Sequence, residues 1–537
     1  MLRPMRLGIS LLLLTPSLWA QFGSGFQGTV VDRSAAAVAG VVINVTNIET
    51  GVSREVVANS EGYYTVSSLG PGNYRIQATK SGFTTALQDN LVLPPDQIRK
   101  VDFTLDVGAV RETVNVTGQA TVLETETGHV TSQMNQASLA SLPVVNNSVF
   151  NLMAVQPGVT GRSMNVDNVT GRSTANVNFA GARTDSNSYS MDGMSVNSIS
   201  RGGAAEVAPN VESVEQVAIQ LNDANASEGR NMGAHVNVVS KAGTNQFHGA
   251  AWDYLGNNKL NTRNFFSTTS VPPLHRNQFG YAAGGPIIKN RTFFFTSYEG
   301  IRQTGETPTT STVETKEFVQ WLVANRPNSI ATKLLTTFTP VAYATTNLKD
   351  LGTPISGVGP CGGCAAANQF STTPLLNANG TPLNEYGTAS WNQPSRSVSD
   401  GLTLRIDHEL RPGKDRIYGY YYHFTGVTQT PPVRDFERDN PTGGNFVNLN
   451  ETHIFSPKIV NEFQGGVIRY IGTYTTPRNL WVSQINVTGS LGNSFQDTNP
   501  YPGGWFATEY VVKDSVSIVH GQHTVKAGVE RRRGTTT

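Results

Sequence analysis

Apolar and polar positions alternate along much of the chain. Tyr74, Ile76 and Ala78 are apolar, whereas Arg75 and Gln77 between them are polar. That period of two predicts a strand with one buried face and one wet face. Similar short segments recur at residues 28–31, 41–46, 54–58, 63–66 and 101–105. Turn residues separate them: Glu49-Thr50-Gly51, Glu61-Gly62 and Gly70-Pro71-Gly72, where glycine accepts the positive φ that a tight turn needs. About seven short strands in roughly 80 residues predict a small β-sandwich.

The pattern then changes twice. Residues 107–118 carry no core pattern and read as a linker. Residues 119–245 read as a mixed unit. A helix is expected over 135–142, stopped by Pro143, and another over 149–154, ended by Pro157-Gly158. Strands are expected over 214–221 and 236–240. From His248 onward, β-segments alternate with long polar loops. Residues 403–407 and 524–530 alternate apolar with charged positions. Tyr418, Tyr420, Tyr422 and Phe424 share one face of a strand. An outward apolar and aromatic face with a polar interior is what a membrane barrel requires, because lipid satisfies neither charge nor backbone. A water-soluble β-sandwich alternates as well, so periodicity alone leaves both readings open.

Composition narrows the class. Only 15% of the 537 residues are charged, and Lys+Arg 40 against Asp+Glu 39 gives a net charge of +1. A nucleic-acid partner needs a basic surplus, so none is expected. Ser, Thr, Asn, Gln and 53 glycines replace the missing charge, which suits β-structure with many turns. No apolar run reaches the roughly 18 residues of a membrane helix. The first 20 residues read as an export signal: Arg3 and Arg6, then an apolar stretch over 7–14, then a small residue at Ala20 where cleavage fits.

Several longer strings resemble known families. Residues 26–106, from G-T-V-V-D through A-N-S-E-G-Y-Y-T-V-S-S-L-G-P-G-N-Y-R-I-Q-A-T-K-S-G-F, resemble a carboxypeptidase-regulatory-like (Cna-B-type) domain. That implies a transthyretin-like or carbohydrate-binding-like sandwich. Residues 119–245 resemble the plug of TonB-dependent outer-membrane receptors. The matching pieces are Leu142-Pro143, Gln156-Pro157-Gly158-Val159, Phe179-Ala180-Gly181-Ala182-Arg183 and Tyr189-Ser190-Met191-Asp192-Gly193-Met194. The longest is V-E-S-V-E-Q-V-A-I-Q with A-S-E-G-R-N-M-G-A-H-V-N-V-V-S-K-A-G-T-N-Q-F-H-G, within residues 211–249. Asn277-Gln278-Phe279-Gly280 and the segment 284–295 look like the first barrel hairpins of the Oar-like branch, which carries a Cna-B-type domain before its plug. The resemblance implies a mainly β chain: sandwich, plug, and over 246–537 the first part of an antiparallel transmembrane β-barrel. That last part supplies about ten strands against about 22 in the resembled receptors, so the expectation is an N-terminal portion of a longer receptor.

Short motifs add little enzyme chemistry. Gly23-Ser24-Gly25-Phe26-Gln27-Gly28 spells G-x-G-x-x-G, but a signal precedes it and strand residues follow, so a flexible start is expected and no dinucleotide site. Cys361-Gly362-Gly363-Cys364 lacks further ligands for zinc, and a small loop disulfide is expected in an oxidising compartment. His520-Gly521-Gln522-His523 reads as a hairpin turn, with no metal. H-E-x-x-H, G-x-S-x-G and the P-loop are absent, so no catalytic residue, cofactor or metal is expected.

Two sets of residues carry the functional expectation. Glu112, Thr113, Val114, Asn115 and Val116 lie where TonB-dependent receptors keep the extended box that pairs with TonB by strand addition. The same segment reads equally as a last sandwich strand with a linker. Arg183, Asp192, Glu215, Glu228, Arg230 and Lys241 are candidates for polar contacts between plug and barrel, which suit reversible docking better than an apolar seal. The reading is uptake across an outer membrane, energised by the TonB complex, with the N-terminal domain in the periplasm. The extracellular substrate is a glycan, a peptide or a metal chelate. A surface adhesion or carbohydrate-binding protein and a secreted carbohydrate-processing enzyme are the alternatives.

Overall fold

The computed structural model describes residues 24–95, 97–108, 113–115, 130–135, 139, 149, 158–163, 173–179, 181–199, 202–221, 233–263, 271–349, 375–429, 439–474, 503–520 and 523–536. The expected export signal at 1–20, Cys361, Cys364, Glu228 and Arg230 lie outside them, as do the two expected plug helices apart from Asn135, Leu139 and Val149.

The N-terminal unit is a β-sandwich. Its strands are β1 (Gly25–Asp32), β2 (Val42–Asn47), β3 (Ser53–Val57), β4 (Tyr63–Ser67), β5 (Gly72–Thr79), β6 (Thr85–Leu93), β7 (Ile98–Lys100), β8 (Phe103–Leu105) and β9 (Thr113–Asn115). One sheet runs β3-β2-β5-β6-β9, and the other places β4, β7 and β8 around β1. Tyr74, Ile76 and Ala78 are buried, and Arg75 and Gln77 are exposed, as the alternation requires. They join Phe26, Val30, Ile43, Tyr64 and Phe103 in a closed core. Gly25 and Gly28 of the G-x-G-x-x-G string lie in β1 rather than in the flexible start expected, and both serve close strand packing. A Cβ on Gly28 would sit 1.9 Å from the Val101 carbonyl oxygen. Strand β6 escapes the sequence pattern because Asp89 and Asn90 interrupt it. Asn90 takes φ 57°, and the β5 pairing shifts register there.

The unit expected to be a plug, and called so below, follows with β10 (Val130–Asn135), β11 (Val159–Ser163), β12 (Ser173–Phe179), β13 (Ser188–Met191), β14 (Met194–Ser195), β15 (Ala204–Ala205), β16 (Val214–Leu221) and β17 (His235–Ser240). Its main sheet has the order β10-β16-β17-β13-β14. Asn135, expected to begin a helix, is the last residue of β10 and pairs with Gln216.

The remainder is a curved wall: β18 (His248–Asn257), β19 (Leu274–Ile288), β20 (Thr292–Glu314), β21 (Thr346–Lys349), β22 (Tyr386–Arg411), β23 (Asp415–Gln429), β24 (Asp439–Ser456), β25 (Ile459–Tyr474), β26 (Gly503–His520) and β27 (His523–Thr536). Apart from the short β21, each strand pairs antiparallel with the next, and the sheet is open among the described residues. Connections at one end are short, such as residues 289–291, 412–414 and 457–458. Those at the other end are long, such as 315–385 and 475–502. The long segment 315–385, expected to be polar loop, holds two helices, α1 (Lys316–Asn325) and α2 (Ile330–Thr337). Thr315 and Ser329 cap them by accepting from the backbone N–H groups of Phe318 and Thr332. Phe318, Val319, Leu322 and Leu335 form a small core there.

Alternation across the wall has a clear sense. Leu404, Ile406, Val447, Leu449, Tyr510 and Val512 face outward, while Thr403, Arg405, Asp407, Asn448 and Lys513 are buried inward. Apolar positions outside and polar positions inside suit lipid around a wet lumen. The tyrosine face of β23 corrects the sequence reading. Tyr420, Tyr422 and Phe424 point inward and pack with the plug. An aromatic face satisfies a packed plug as readily as it satisfies lipid.

Candidate functional site

The site is the junction where plug, wall and sandwich meet at the short-turn end. Its centre is the turn between β13 and β14. Asp192 and Gly193 take φ 49° and 76°, the two positive values of a tight two-residue hairpin. Asp tolerates that conformation because its short side chain bonds to nearby backbone. Here Asp192 accepts from the Ser240 backbone N–H at 2.9 Å and from the Ser240 hydroxyl at 2.6 Å. This ties the hairpin to β17, whose register with β13 sets the two residues side by side.

The wall grips the same turn. Arg405 of β22 donates to the Ser240 hydroxyl at 2.7 Å and to the Ser240 carbonyl at 3.1 Å. Its Nη1 lies 3.7 Å from Asp192 Oδ2, with the two side chains only 6% and 2% exposed. Asp407 holds Arg405 through a two-point contact at 2.8 and 2.9 Å. Arg416 donates to Asp407 at 2.8 Å. The Arg405 guanidinium lies 4.3 Å from the Tyr418 ring centroid. Gln464 of β25 donates to the Asp192 carbonyl at 2.9 Å, and Lys513 of β26 to the Gly193 carbonyl at 3.2 Å. Three separate wall strands therefore hold one plug turn. Beside it, Met194 is fully buried, and a Cβ on Gly466 would meet its sulfur at 2.4 Å. The glycine lets the plug come close.

The rest of the seal is apolar. Phe179, Tyr189, Met191, Met194, Val217 and Val236 of the plug share one core with Tyr420, Tyr422, Phe424, Phe446, Ile468 and Tyr470 of the wall. The expectation of a mainly polar, wet interface is corrected here. Polar contacts form a clamp at one end, and aromatic packing fills the rest. Two further bonds cross the interface: Tyr422 donates to the Ala208 carbonyl at 2.9 Å, and Asn210 donates to Ser297 at 3.2 Å.

The other charged candidates have different surroundings. Lys241 pairs with Glu212 of the plug at 3.5 Å. Arg183 pairs with Asp185 at 3.1 Å on an exposed surface. Glu215 lines a cavity of about 570 Å³. Its carboxyl keeps a water-facing side there, but the protein packed around it pushes its pKa up, with Glu49 of the sandwich adding to that rise. Thr113, Val114 and Asn115 pair in parallel with Thr85, Ala86 and Leu87, so this part of the candidate box is the edge strand of the sandwich. Glu112 and Val116 lie outside the described residues. His520 and His523 face each other across the β26–β27 hairpin. Asp415, Glu451 and His453 could each offer one ligand atom within 4.8 Å. Asp415 already accepts from Arg411 at 3.0 Å and hydrogen-bonds with His453, so its carboxylate is engaged within the protein.

Sequence reasoning missed Ser240, Arg405, Asp407, Arg416, Gln464 and Lys513. The available signal was the charged face of residues 403–407, which had to point into the lumen if the strand crossed a membrane.

Comparison with known proteins gives the family. The outer membrane beta barrel domain family matches residues 239–537, and the carboxypeptidase regulatory-like domain family matches residues 25–106. The TonB-dependent transporter Oar of Myxococcus xanthus is 25% identical over 303 residues. That alignment covers 53% of this chain and 27% of the relative, so the chain spans about a quarter of that relative's length. Among solved structures, the outer membrane transporter YddB from Escherichia coli aligns with a TM-score of 0.45 at 11% identity, covering 76% of this chain and 47% of that one. A ferric enterobactin receptor of Pseudomonas aeruginosa aligns with a TM-score of 0.44 at 11% identity, covering 77% and 50%. With its family match extending over more than half of the sequence, the chain belongs to the outer membrane beta barrel domain family, and it is an outer-membrane protein that resembles the Oar-like TonB-dependent receptors.

Proposed function

We propose that this chain is part of a TonB-dependent receptor that takes up a ligand across the outer membrane and is not an enzyme. The observation that carries the reading is the clamp: a plug turn held by Arg405, Gln464 and Lys513 on three strands of the wall. A plug so held blocks the lumen, and opening needs work. The outer membrane holds no nucleotide to supply it, so a partner must deliver the work. The relative's name, TonB-dependent transporter, supports TonB as that partner. Barrels of this kind have short periplasmic turns and longer extracellular loops. On that rule the sandwich, which meets the short turns, would lie on the periplasmic side, and the candidate box that follows it in sequence would come within reach of TonB. Glu112, Thr113, Val114, Asn115 and Val116 would pair with it by strand addition, where backbone hydrogen bonds give affinity. Asp192 would serve as the plug's side of the clamp, with Glu215 and Lys241 facing the cavity below it. Ligand would bind among the long loops opposite; its class is a glycan, a peptide or a metal chelate.

The test is uptake by cells carrying the full-length receptor, the receptor lacking residues 111–117, or no receptor. Labelled oligosaccharides, peptides and iron chelates are the probes, with and without an uncoupler. Energy-dependent uptake of one class that disappears on deletion supports the reading. Uptake unchanged by the deletion contradicts the box, and uptake unchanged without the receptor contradicts the function.

A further inference from the structure

We propose that the N-terminal sandwich is a second gate, seated across the periplasmic mouth of the barrel, and that it leaves its seat before the plug moves. The inference rests on the transport reading above. The seat is built from three separate elements. The backbone N–H of Asn245, in the connection from plug to wall, donates to the Glu49 carbonyl at 3.0 Å. The Asn245 side chain donates to the Thr50 carbonyl at 2.6 Å and to Asn290 Oδ1 at 2.7 Å. Asn290, in the β19–β20 turn, donates its backbone N–H back to Asn245 at 2.8 Å. A Cβ on Gly51 would sit 2.5 Å from Asn290 Oδ1. On the β22–β23 side, a Cβ on Gly413 would lie 3.0 Å from the Ser53 carbonyl, and one on Gly70 would lie 2.9 Å from Arg416 Nη1. The sandwich thus touches two short turns of the wall, one of them at the end of the strand that carries Arg405.

Between sandwich, plug and wall lies the cavity of about 570 Å³, lined by Arg54, Gly70, Asp192, Lys241, Glu409 and Arg416 among others. Asp192 and Arg405 both border it, so whatever passes the clamp enters a chamber roofed by the sandwich. Charges of both signs line it, which favours water over an apolar ligand.

The two cores set the order of release. The sandwich core contains only sandwich residues, from Phe26 to Leu105. The plug core is shared with eight wall residues. Undocking the sandwich therefore breaks a few hydrogen bonds that water replaces, at small net cost. Undocking the plug exposes buried aromatic surface as well. The attachment point agrees. Thr113, Val114 and Asn115 are paired to β6 of the sandwich, so a pull on that segment reaches the sandwich first.

The test is a reversible lock in cells carrying the full-length receptor, in a C361S/C364S background. Glu49→Cys and Asn245→Cys face each other across one backbone hydrogen bond. The E49S/N245S pair, which cannot link, is the control. Val239→Cys, in the wall of the cavity, is the reporter. Biotin-maleimide is the probe, and mass spectrometry reads labelling on the tryptic peptide that ends at Lys241. The gate predicts that the 49–245 disulfide forms in the envelope. It also predicts that energised cells label the reporter at least tenfold more slowly when locked than in the control. Failure of the link to form overturns the seat, and equal labelling in the two overturns the gate while leaving the transport reading intact. A control that stays unlabelled in energised cells means the plug does not move, and the transport reading and the gate fall together.

Discussion

Asp192 of the plug and Arg405 of the wall share Ser240: its hydroxyl donates to the Asp192 carboxylate at 2.6 Å and accepts from Arg405 at 2.7 Å. One hydroxyl thus joins two buried charges that belong to different units. Asp407 and Arg416 extend the cluster, and Glu409 lies 3.9 Å from Arg416 at its edge. Buried ions are tolerable only when paired and hydrogen-bonded, and the cost appears when one partner is removed.

Arg405→Met tests that cost. The variant removes the cation beside Asp192 and leaves Asp407 buried with Arg416. Loss of about 3–5 kcal/mol from plug docking is expected, the usual result of breaking a buried pair by removing one partner. Hydrogen exchange at Val236, Val238 and Ser240 in the purified receptor reads it directly. Protection unchanged from the parent would mean the clamp does not hold the plug.

Close approach at Gly466 gives a second expectation. Gly466→Ala drives a methyl into Met194, and overpacking of this kind costs about 1–3 kcal/mol. Met194→Ala in the same chain should recover part of that loss. The backbone carbonyl of Val447 also lies 2.4 Å from the added Cβ position, so recovery is incomplete. Thermal unfolding of the three variants measures the coupling. Strictly additive losses would show that the two residues do not meet.

The two faces of the wall respond differently to substitution. Leu404 faces lipid, and Leu404→Arg should cost about 2–4 kcal/mol if it lies near mid-membrane. Tyr420 faces the plug, and Tyr420→Ala should cost about 3–5 kcal/mol through the cavity it leaves. Folding titrations in lipid vesicles compare them, repeated on a receptor lacking the plug. Without the plug, the Leu404→Arg cost should persist and the Tyr420→Ala cost should shrink. Equal behaviour of the two would reverse the inward assignment of the tyrosine face.

That tyrosine face marks where sequence stops informing. Alternation in residues 417–424 is plain, and it correctly predicts a strand. It says nothing about which face meets lipid, because a packed plug and a bilayer both accept aromatic rings. Residues 403–407 were more telling, since Arg405 and Asp407 can face only the lumen of a membrane barrel. Even so, their partners Asp192 and Ser240 lie far away in sequence, and no local pattern names them. The hairpin at Asp192-Gly193 is legible as a turn, but its insertion between three wall strands is a product of topology. Strand β6 was missed because Asn90, at φ 57°, breaks the period of two. The helices α1 and α2 were missed although Thr315 and Ser329 stand as ordinary caps, since the surrounding polar sequence reads as loop.

The central claim is that the plug leaves its seat when the receptor is energised. A Met194→Cys, Gly466→Cys receptor tests it, because those two residues meet across the plug and the wall. The measurement is energy-dependent accumulation of the labelled probe that the receptor takes up, before and after oxidation and again after reduction. The account predicts uptake lost on oxidation and regained on reduction, with the amount of receptor in the outer membrane unchanged. Uptake at the parental rate with the disulfide intact would contradict it.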